Sequence, residues 1–367
     1  MLNSRLLRLE KLMAAAKVDA VVLNPGPTLI YLTSLHFHLM ERPTLFLFKR
    51  GEQPALILPE LETAKLNDLS FPLTVHTYGD DPATWQKMID QALQPWGKGS
   101  LSIGLEPQRM RFLEMDFLQK ALPDATFTAA ESVLGSLRAQ KDGEEIALMR
   151  KAAEIAQTAL GSLLPHIKPG VTEMDLESEL TIRLLKAGSS SELPFSPIIA
   201  GGPNSANPHA VPSARPLQRG DLLVIDWGAA FSGYLSDLTR TFAVGDVDPE
   251  LLEIYQVVKA ANAAGRAAGK PGVTAGSVDA AARKVIDDAG YGKYFTHRTG
   301  HGLGMEPHEQ PYIFKGNPLI LEEGMTYTIE PGIYLPGRGG VRIEDDVVIT
   351  SSGCESLSDF SRDLRIF

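Results

Sequence analysis

The chain has 367 residues, 44% of them apolar, which is more than one hydrophobic core usually serves, so two globular domains are expected and a disordered chain is excluded. Its 45 acidic against 35 basic residues leave a net charge of -10; with no Lys/Arg cluster to counter the repulsion, this argues against a nucleic-acid or anionic-membrane partner. The single cysteine, Cys354, cannot form an intrachain disulfide and fits a reducing compartment.

The opening stretch, MLNSRLLRLEKLMAAA, alternates charged with apolar side chains at helical spacing. It reads as an amphipathic helix rather than a signal peptide, and no apolar run approaches the ~18 residues a membrane span needs. A cytoplasmic location is the expectation. The runs AVVL, TLFLF (ahead of a turn at Arg50-Gly51) and PALIL then read as strands, so residues 1–135 are expected to form an α/β domain. Between the first two lies TSLHFHLMERP, where His36 and His38 share a face if the backbone is extended.

The second domain, 136–367, opens near KDGEEI, where Asp142 and Glu145 form a capping-box pattern at a helix start. KPGVT occurs at Lys168 to Thr172 and again at Lys270 to Thr274. Each copy is preceded by a helical segment, Glu144 to Leu164 and Pro249 to Ala268, and followed by a second that ends at Gly188 or Gly290. A strand hairpin comes after each, and the shared order indicates an internal duplication.

The first hairpin, LLVIDWGAAFSGYLSDLTRTFAV, turns at Ser232-Gly233, and the second, MTYTIEPGIYLPGRGGVRIEDDVVIT, at Pro336 to Gly340. Residues paired across an antiparallel hairpin have a constant index sum. Asp226 and Asp237 centre on the Phe231/Ser232 junction and are expected to lie close across the strands; Glu330 and Glu344 centre on Gly337. A lone Asp or Glu here would ordinarily be a solvated strand residue. Yet Asp226 follows LLVI and Glu330 follows TYTI, apolar runs that read as strands buried on both faces, where an unpaired carboxylate is costly. Four carboxylates related by the duplication would converge, and two divalent cations would balance their charge. Between the hairpins, FTHRTGHGLGMEPHEQP holds His297, His301 and His308, three of the eight histidines. Gly300, Gly302 and Gly304 allow the close backbone approach that suits a ligand histidine at position 301.

These blocks resemble the creatinase/aminopeptidase (pita-bread) family, within it the Xaa-Pro dipeptidases (prolidases) and aminopeptidases P. VIDWGAAFSGYLSDLTRTF is similar to the family's two-aspartate hairpin, TGHGLGMEPHEQP to its histidine loop, TIEPGIYLPGRGGVRIEDDVVIT to its two-glutamate segment and NPHAVPS to its upstream histidine motif. More loosely, RLEKLMAAAKVDAVVLNPGPTLIYLTSL resembles the creatinase-like N-terminal domain. The fold implied is an N-terminal creatinase-like α/β domain followed by an α/β (α+β) pita-bread domain with pseudo-twofold duplication. The metal ligands implied are Asp226, Asp237, His301, Glu330 and Glu344, holding two divalent ions per subunit. Hard oxygen donors favour Mn²⁺, with Co²⁺, Fe²⁺ and Zn²⁺ compatible. Phe231 departs from the Tyr that relatives frequently carry there.

The activity implied is hydrolysis of the bond before proline in a small peptide with proline at its second position, by an Xaa-Pro dipeptidase. The alternatives are an aminopeptidase P acting on longer peptides and a non-catalytic peptide-binding protein of this fold. Glu330, as a carboxylate beside the attacking water, is the candidate proton shuttle. The resemblance assigns His308 to the developing oxyanion, His209 to substrate binding or proton delivery toward the proline nitrogen, and His297 to the proline pocket. Arg342 shares a strand face with Glu344, so its fork is expected to hold Glu344 or the substrate carboxylate. Relatives of this kind are often homodimers, and the His38 loop is expected to reach a substrate pocket, that of a second subunit.

Overall fold

The computed structural model describes residues 4–69, 71–97 and 99–367; Met1 to Asn3, the start of the expected amphipathic stretch, lie outside the described residues. The chain forms two compact units, Met1–Arg138 and Ala139–Phe367.

In the first unit α1 (Ser4–Ala16) buries Leu6, Leu9 and Met13, spaced three and four apart as a one-sided helix requires. There follow β1 (Ala20–Leu23), α2 (Pro27–Thr33), β2 (Leu45–Lys49), β3 (Ala55–Pro59), β4 (Thr74–Tyr78), α3 (Trp85–Leu93), β5 (Ser102–Leu105), α4 (Phe112–Ala121), β6 (Thr126–Ala129) and α5 (Glu131–Ala139). The strands form one mixed sheet in the order β4-β3-β2-β1-β5-β6. β1 is buried throughout and pairs antiparallel with β2 and parallel with β5, so its sequence is unbroken apolar instead of alternating. α5 runs without interruption through the 135/136 division drawn from the sequence. The helix-capping Asp142 comes only after that helix ends.

The second unit begins with α6 (Gly143–Leu163), whose capping box forms as expected: the Glu145 amide donates to Asp142 Oδ1 and the Asp142 amide to Glu145 Oε2, both at 2.9 Å. α7 (Glu173–Ala187), β7 (Ile198–Gly201), β8 (Asp221–Trp227), β9 (Ala230–Phe231), β10 (Tyr234–Leu235) and β11 (Leu238–Val244) complete the first half. The second half comprises α8 (Pro249–Ala268), α9 (Ala275–Asp288), β12 (Gly300–Gly302), β13 (Glu309–Ile313), β14 (Thr326–Ile329), β15 (Gly332–Leu335), β16 (Gly339–Arg342), β17 (Asp345–Thr350) and β18 (Gly353–Ser356).

The duplication is visible in individual hydrogen bonds. In both KPGVT copies the threonine caps the next helix, Thr172 for α7 and Thr274 for α9. The glycine amide bonds to a leucine carbonyl, Gly170 to Leu217 and Gly272 to Leu321, and that leucine's amide returns to the valine carbonyl, Val171 or Val273. Gly170 and Gly272 have φ of 90° and 84°, a left-handed backbone that a side chain disfavours, which explains the repeated glycine. The sheets, β11-β8-β7 and β13-β12-β14-β17-β18, are covered by helices. Leu160, Leu180 and Leu184 from α6 and α7 pack with Leu223, Ile225 and Trp227 of β8, and Val278 from α9 packs with Ile313, Tyr327 and Ile329. This burial on both faces leaves little solvent for an acid at the strand ends: Asp226 is buried and Glu330 only partly exposed.

Candidate metal centre

Asp226 stands near the end of β8 and Asp237 immediately before β11. The two-residue turn at Ser232-Gly233, with φ of 48° and 82°, is the double positive-φ turn that matches strand twist. It places Tyr234 opposite Phe231 and Thr239 opposite Asp226. Asp237 is therefore two positions out of register with Asp226, correcting the expected direct pairing: the hairpin centre lies between Ser232 and Gly233, one residue beyond the junction assumed. An offset of two keeps the same strand face, so both carboxylates still point the same way.

In the other half, Ile329 pairs with Asp345 and Gly332 with Arg342, which sets Glu330 against Glu344 about Gly337 as the index arithmetic anticipates. An antiparallel bridge between Thr239 and Glu344 joins the two halves here: the Glu344 amide donates to the Thr239 carbonyl at 3.0 Å, and Thr239 Oγ1 donates to Glu344 Oε2 at 2.6 Å.

His301 enters from β12. A Cβ at Gly300 would overlap the Thr328 carbonyl and one at Gly302 the Gln310 backbone, so only glycines let this strand thread between its neighbours. His301 Nδ1 faces the Gly302 carbonyl at 3.1 Å; as donor there, it leaves the Nε2 lone pair free. Nε2 lies 3.3 Å from Glu330 Oε1 and 3.7 Å from Asp237 Oδ2. Such second-atom hydrogen bonding is what orients a metal-ligating imidazole. Donor atoms of Asp237, His301 and Glu344 all lie within 4.8 Å of one another.

The electrostatics match a cation site. Burial, and then the neighbouring carboxylates, push Asp237 and Glu344 well above the usual carboxyl range. Burial raises Glu330 to about 7, against the pull of Arg342, and burial holds His301 neutral. Asp226 Oδ1 and Asp346 Oδ1 are buried with no hydrogen-bond partner, an arrangement that costs stability unless a cation completes it. Oxygen donors with one imidazole and no thiolate suit a divalent ion of intermediate to hard character. The residues present therefore fit the metal.

The remaining histidines are placed differently. The exposed His308 sets its ring edge-on to His301, centroids 4.1 Å apart. His209 is exposed on the loop after β7, its amide bonded to Asn207 Oδ1 at 3.1 Å, and its charge is felt at His297 and His308. His297 has both ring nitrogens engaged, Nδ1 with the Arg298 carbonyl at 2.8 Å and Nε2 with the Tyr334 hydroxyl at 2.9 Å; burial lowers it to about 4. In the first unit His36 and His38 are exposed, alternating with buried Leu35 and Phe37, as an extended segment dictates.

Of the two carboxylates expected for Arg342, Glu344 is not the one it holds. Its Nη2 donates to Asp226 Oδ2 at 2.6 Å, Nη1 to the Tyr334 hydroxyl at 2.9 Å and to the Pro208 carbonyl at 3.2 Å, and Nε to Thr239 Oγ1 at 3.1 Å. Side chains two apart on one strand run parallel, so the long guanidinium reaches the facing strands instead of its own neighbour. Phe231 packs partly buried against the first-half core.

Several contributors escaped the sequence reading. Asp346, two residues after Glu344 and so on its face, accepts the Asp237 amide at 3.0 Å; the strand period was a usable signal. Tyr334 links Arg342 to His297, and no local pattern marks it. Glu173, fully buried, accepts from the Gly201 amide at 2.7 Å, from Asn204 Nδ2 at 3.0 Å, and from the Ser213 amide and hydroxyl at 3.0 and 2.6 Å. It thus ties together both ends of the His209 loop, although in sequence it reads as an ordinary first-turn acid of α7.

Residues 147–351 match the model of metallopeptidase family M24, and residues 5–140 that of the creatinase/prolidase N-terminal domain. A putative dipeptidase of Bacillus subtilis (strain 168) is 35% identical over 99% of both chains. An Xaa-Pro dipeptidase of Lactobacillus delbrueckii subsp. lactis is 36% identical over 95% of each. The crystal structure of a dipeptidase from Pyrococcus horikoshii OT3 superposes with a TM-score of 0.92 at 37% identity, covering 99% of this chain and 100% of that one. With acids from both duplicated halves and a glycine-flanked histidine meeting at one buried point, the chain belongs to metallopeptidase family M24 and carries the family's creatinase/prolidase N-terminal domain.

Proposed function

We propose that this peptidase is an Xaa-Pro dipeptidase in which Asp226, Asp237, His301, Glu330 and Glu344 hold two divalent ions, Mn²⁺ by preference and Co²⁺, Fe²⁺ or Zn²⁺ as compatible replacements. The observation that carries the reading is the convergence of His301 Nε2 with Glu330 and Asp237 beside Glu344, in a pocket whose acids lack enough protein donors. Full-length similarity to proteins named Xaa-Pro dipeptidase supports the substrate class.

When bound, the two cations supply Lewis acidity to the scissile carbonyl and acidify the attacking water. Glu330, with Oε1 3.3 Å from His301 Nε2 and so beside the attacking water, is placed to accept and return that proton. His308 stands edge-on to His301 and reaches toward solvent, the position from which an imidazole donates to the oxyanion of a tetrahedral intermediate. The departing proline nitrogen carries no hydrogen and needs a proton; His209, on the loop anchored through the Pro208 carbonyl to Arg342, delivers it. His297, fixed by Tyr334 and the Arg298 carbonyl, forms a rigid wall for the proline ring. Arg342 acts through Asp226 as a positioning residue.

A homodimeric state and cytoplasmic residence belong to the same proposal. The exposed Leu39, Met40 and Phe112 of the first unit, close to His38 in sequence or through the Arg111 bond to the Met40 carbonyl, support a subunit contact there. No helix among the described residues is long and apolar enough to cross a membrane.

The test is a Mn²⁺-loaded assay of an Xaa-Pro dipeptide, an Xaa-Pro-Yaa tripeptide and a non-proline dipeptide. Turnover chiefly of the first is expected. Faster cleavage of the tripeptide would make the protein an aminopeptidase P, and equal cleavage of the control would remove proline specificity.

A further inference from the structure

One buried ion pair of the second unit takes no part in metal binding. Lys141 Nζ lies 2.6 Å from Glu309 Oε1, with 1% and 4% of the two side chains exposed. Lys141 stands just before the capping residue of α6, and its amide donates to the Gly324 carbonyl at 2.9 Å, which fixes its backbone. Glu309 opens β13 and lies opposite Gly302. A Cβ at Gly304 would stand 2.6 Å from Glu309 Oε1 and 2.8 Å from Lys141 Cε, so the third glycine of the His301 segment makes room for this pair. Desolvating two charges is costly, and an apolar pair of equal volume would stabilise the fold as well or better. What the ion pair adds is direction: a short charge-assisted bond holds the carboxylate, and the strand start that carries it, in one place.

The residue before Glu309 is His308. Its imidazole is exposed and makes no hydrogen bond among the described residues; the ring contact with His301, centroids 4.1 Å apart, is all that locates it. Its place therefore depends on its own backbone. Adjacent Cα atoms are held about 3.8 Å apart, so a shift of Glu309 passes directly to His308. We propose that Lys141 and Glu309 are positioning residues, a buried ion pair that holds the His308 imidazole where it meets the developing oxyanion. The proposal rests on the Xaa-Pro reading above, in which His308 is that donor. An interaction made only as the oxyanion forms changes kcat and leaves substrate binding as it was, and a misplacement of about 1 Å costs about a hundredfold.

The experiment measures Ala-Pro hydrolysis, bound metal and Tm for the Mn²⁺-loaded protein and its Lys141→Met, Lys141→Arg, Glu309→Gln and His308→Ala variants. Two double variants are added, Lys141→Met with His308→Ala and Lys141→Met with Glu309→Leu. Lys141→Met is expected to lower kcat about ten- to a hundredfold while KM and metal content stay at wild-type values. Lys141→Arg, which keeps the charge, and Glu309→Gln, whose amide oxygen still accepts from Lys141, lose less. In the His308→Ala background the Lys141→Met step costs under about twofold, because the group it acts through is gone. Lys141→Met with Glu309→Leu regains the Tm that Lys141→Met loses, since no unpaired charge stays buried, yet remains slow; it decides the matter if Lys141→Met does not fold. An undiminished kcat in Lys141→Met, a loss that multiplies with that of His308→Ala, or an apolar double variant as fast as the wild type overturns the positioning role and leaves the peptidase reading standing. Failure of the wild type on every proline substrate overturns both.

Discussion

Asp237 shows what a single residue contributes at this site. Its carboxyl is pushed up by burial first and then by Glu344, Asp226, Asp346 and Glu330, so in metal-free protein it is held against its electrostatic preference. Asp237→Asn should lower metal content and reduce activity at least a hundredfold, since even residues that merely orient a ligand cost ten- to a hundredfold. In chelator-treated protein the same substitution should raise Tm by several degrees, because one uncompensated buried acid is removed. Metal analysis and a melt in chelator check the two halves of this expectation, and a lowered Tm in chelator would contradict it.

Two buried acids of the second unit organise whole elements. Glu173 holds the ends of the His209 loop to the first turn of α7. Glu173→Gln places an amide nitrogen among donors and should cost about 1–3 kcal/mol of stability. Because His209 is read as the proton donor to the leaving group, kcat should fall more than KM rises; steady-state kinetics beside a denaturant titration would detect the alternative, a loss of stability with kcat intact. Asp345, fully buried, accepts from Arg240 at 2.9 Å, from Arg362 at 2.7 and 2.8 Å, and from Asn262 at 3.0 Å. Burial would raise its pKa, but the two guanidiniums prevail and hold it below the usual range. It thereby ties β11, β17, α8 and the C-terminal tail together. Asp345→Ala leaves Arg240 buried without its counter-charge and should cost about 3–5 kcal/mol, read as a lowered denaturant midpoint even in metal-loaded protein.

For the whole molecule, metal removal and pH are coupled. Carboxyls raised in the folded state bind protons that the unfolded chain has already released, so the stability of metal-free protein falls as pH rises from the ordinary glutamate value, near 4.5, through about 7 for Glu330. Metal-loaded protein escapes this loss, since its ligands are ionised in both states. The Tm difference between loaded and chelated protein should therefore widen from pH 5 to about 7.5, and paired melts across that range would show it. A difference independent of pH would mean that these acids do not carry the coupling.

The residues that meet at the centre were legible in the chain because their signals are local or periodic. Apolar strands interrupted by Asp226 and Glu330, glycines on both sides of His301, and a KPGVT unit used twice are all readable without coordinates, and the repeated hydrogen bonds at Gly170 and Gly272 bear out the duplication. Strand period fixed which face each acid takes; it did not fix register, because a turn displaced by one residue moves a partner by two, as Asp237 shows. Only the tertiary structure decided where long side chains end. Arg342 crosses to Asp226, Glu173 clamps a loop some thirty to forty residues away in sequence, and Lys141 pairs with Glu309. Sequence determines direction through backbone periodicity, but the partner of a flexible charged side chain depends on which segments of the chain are packed within its reach.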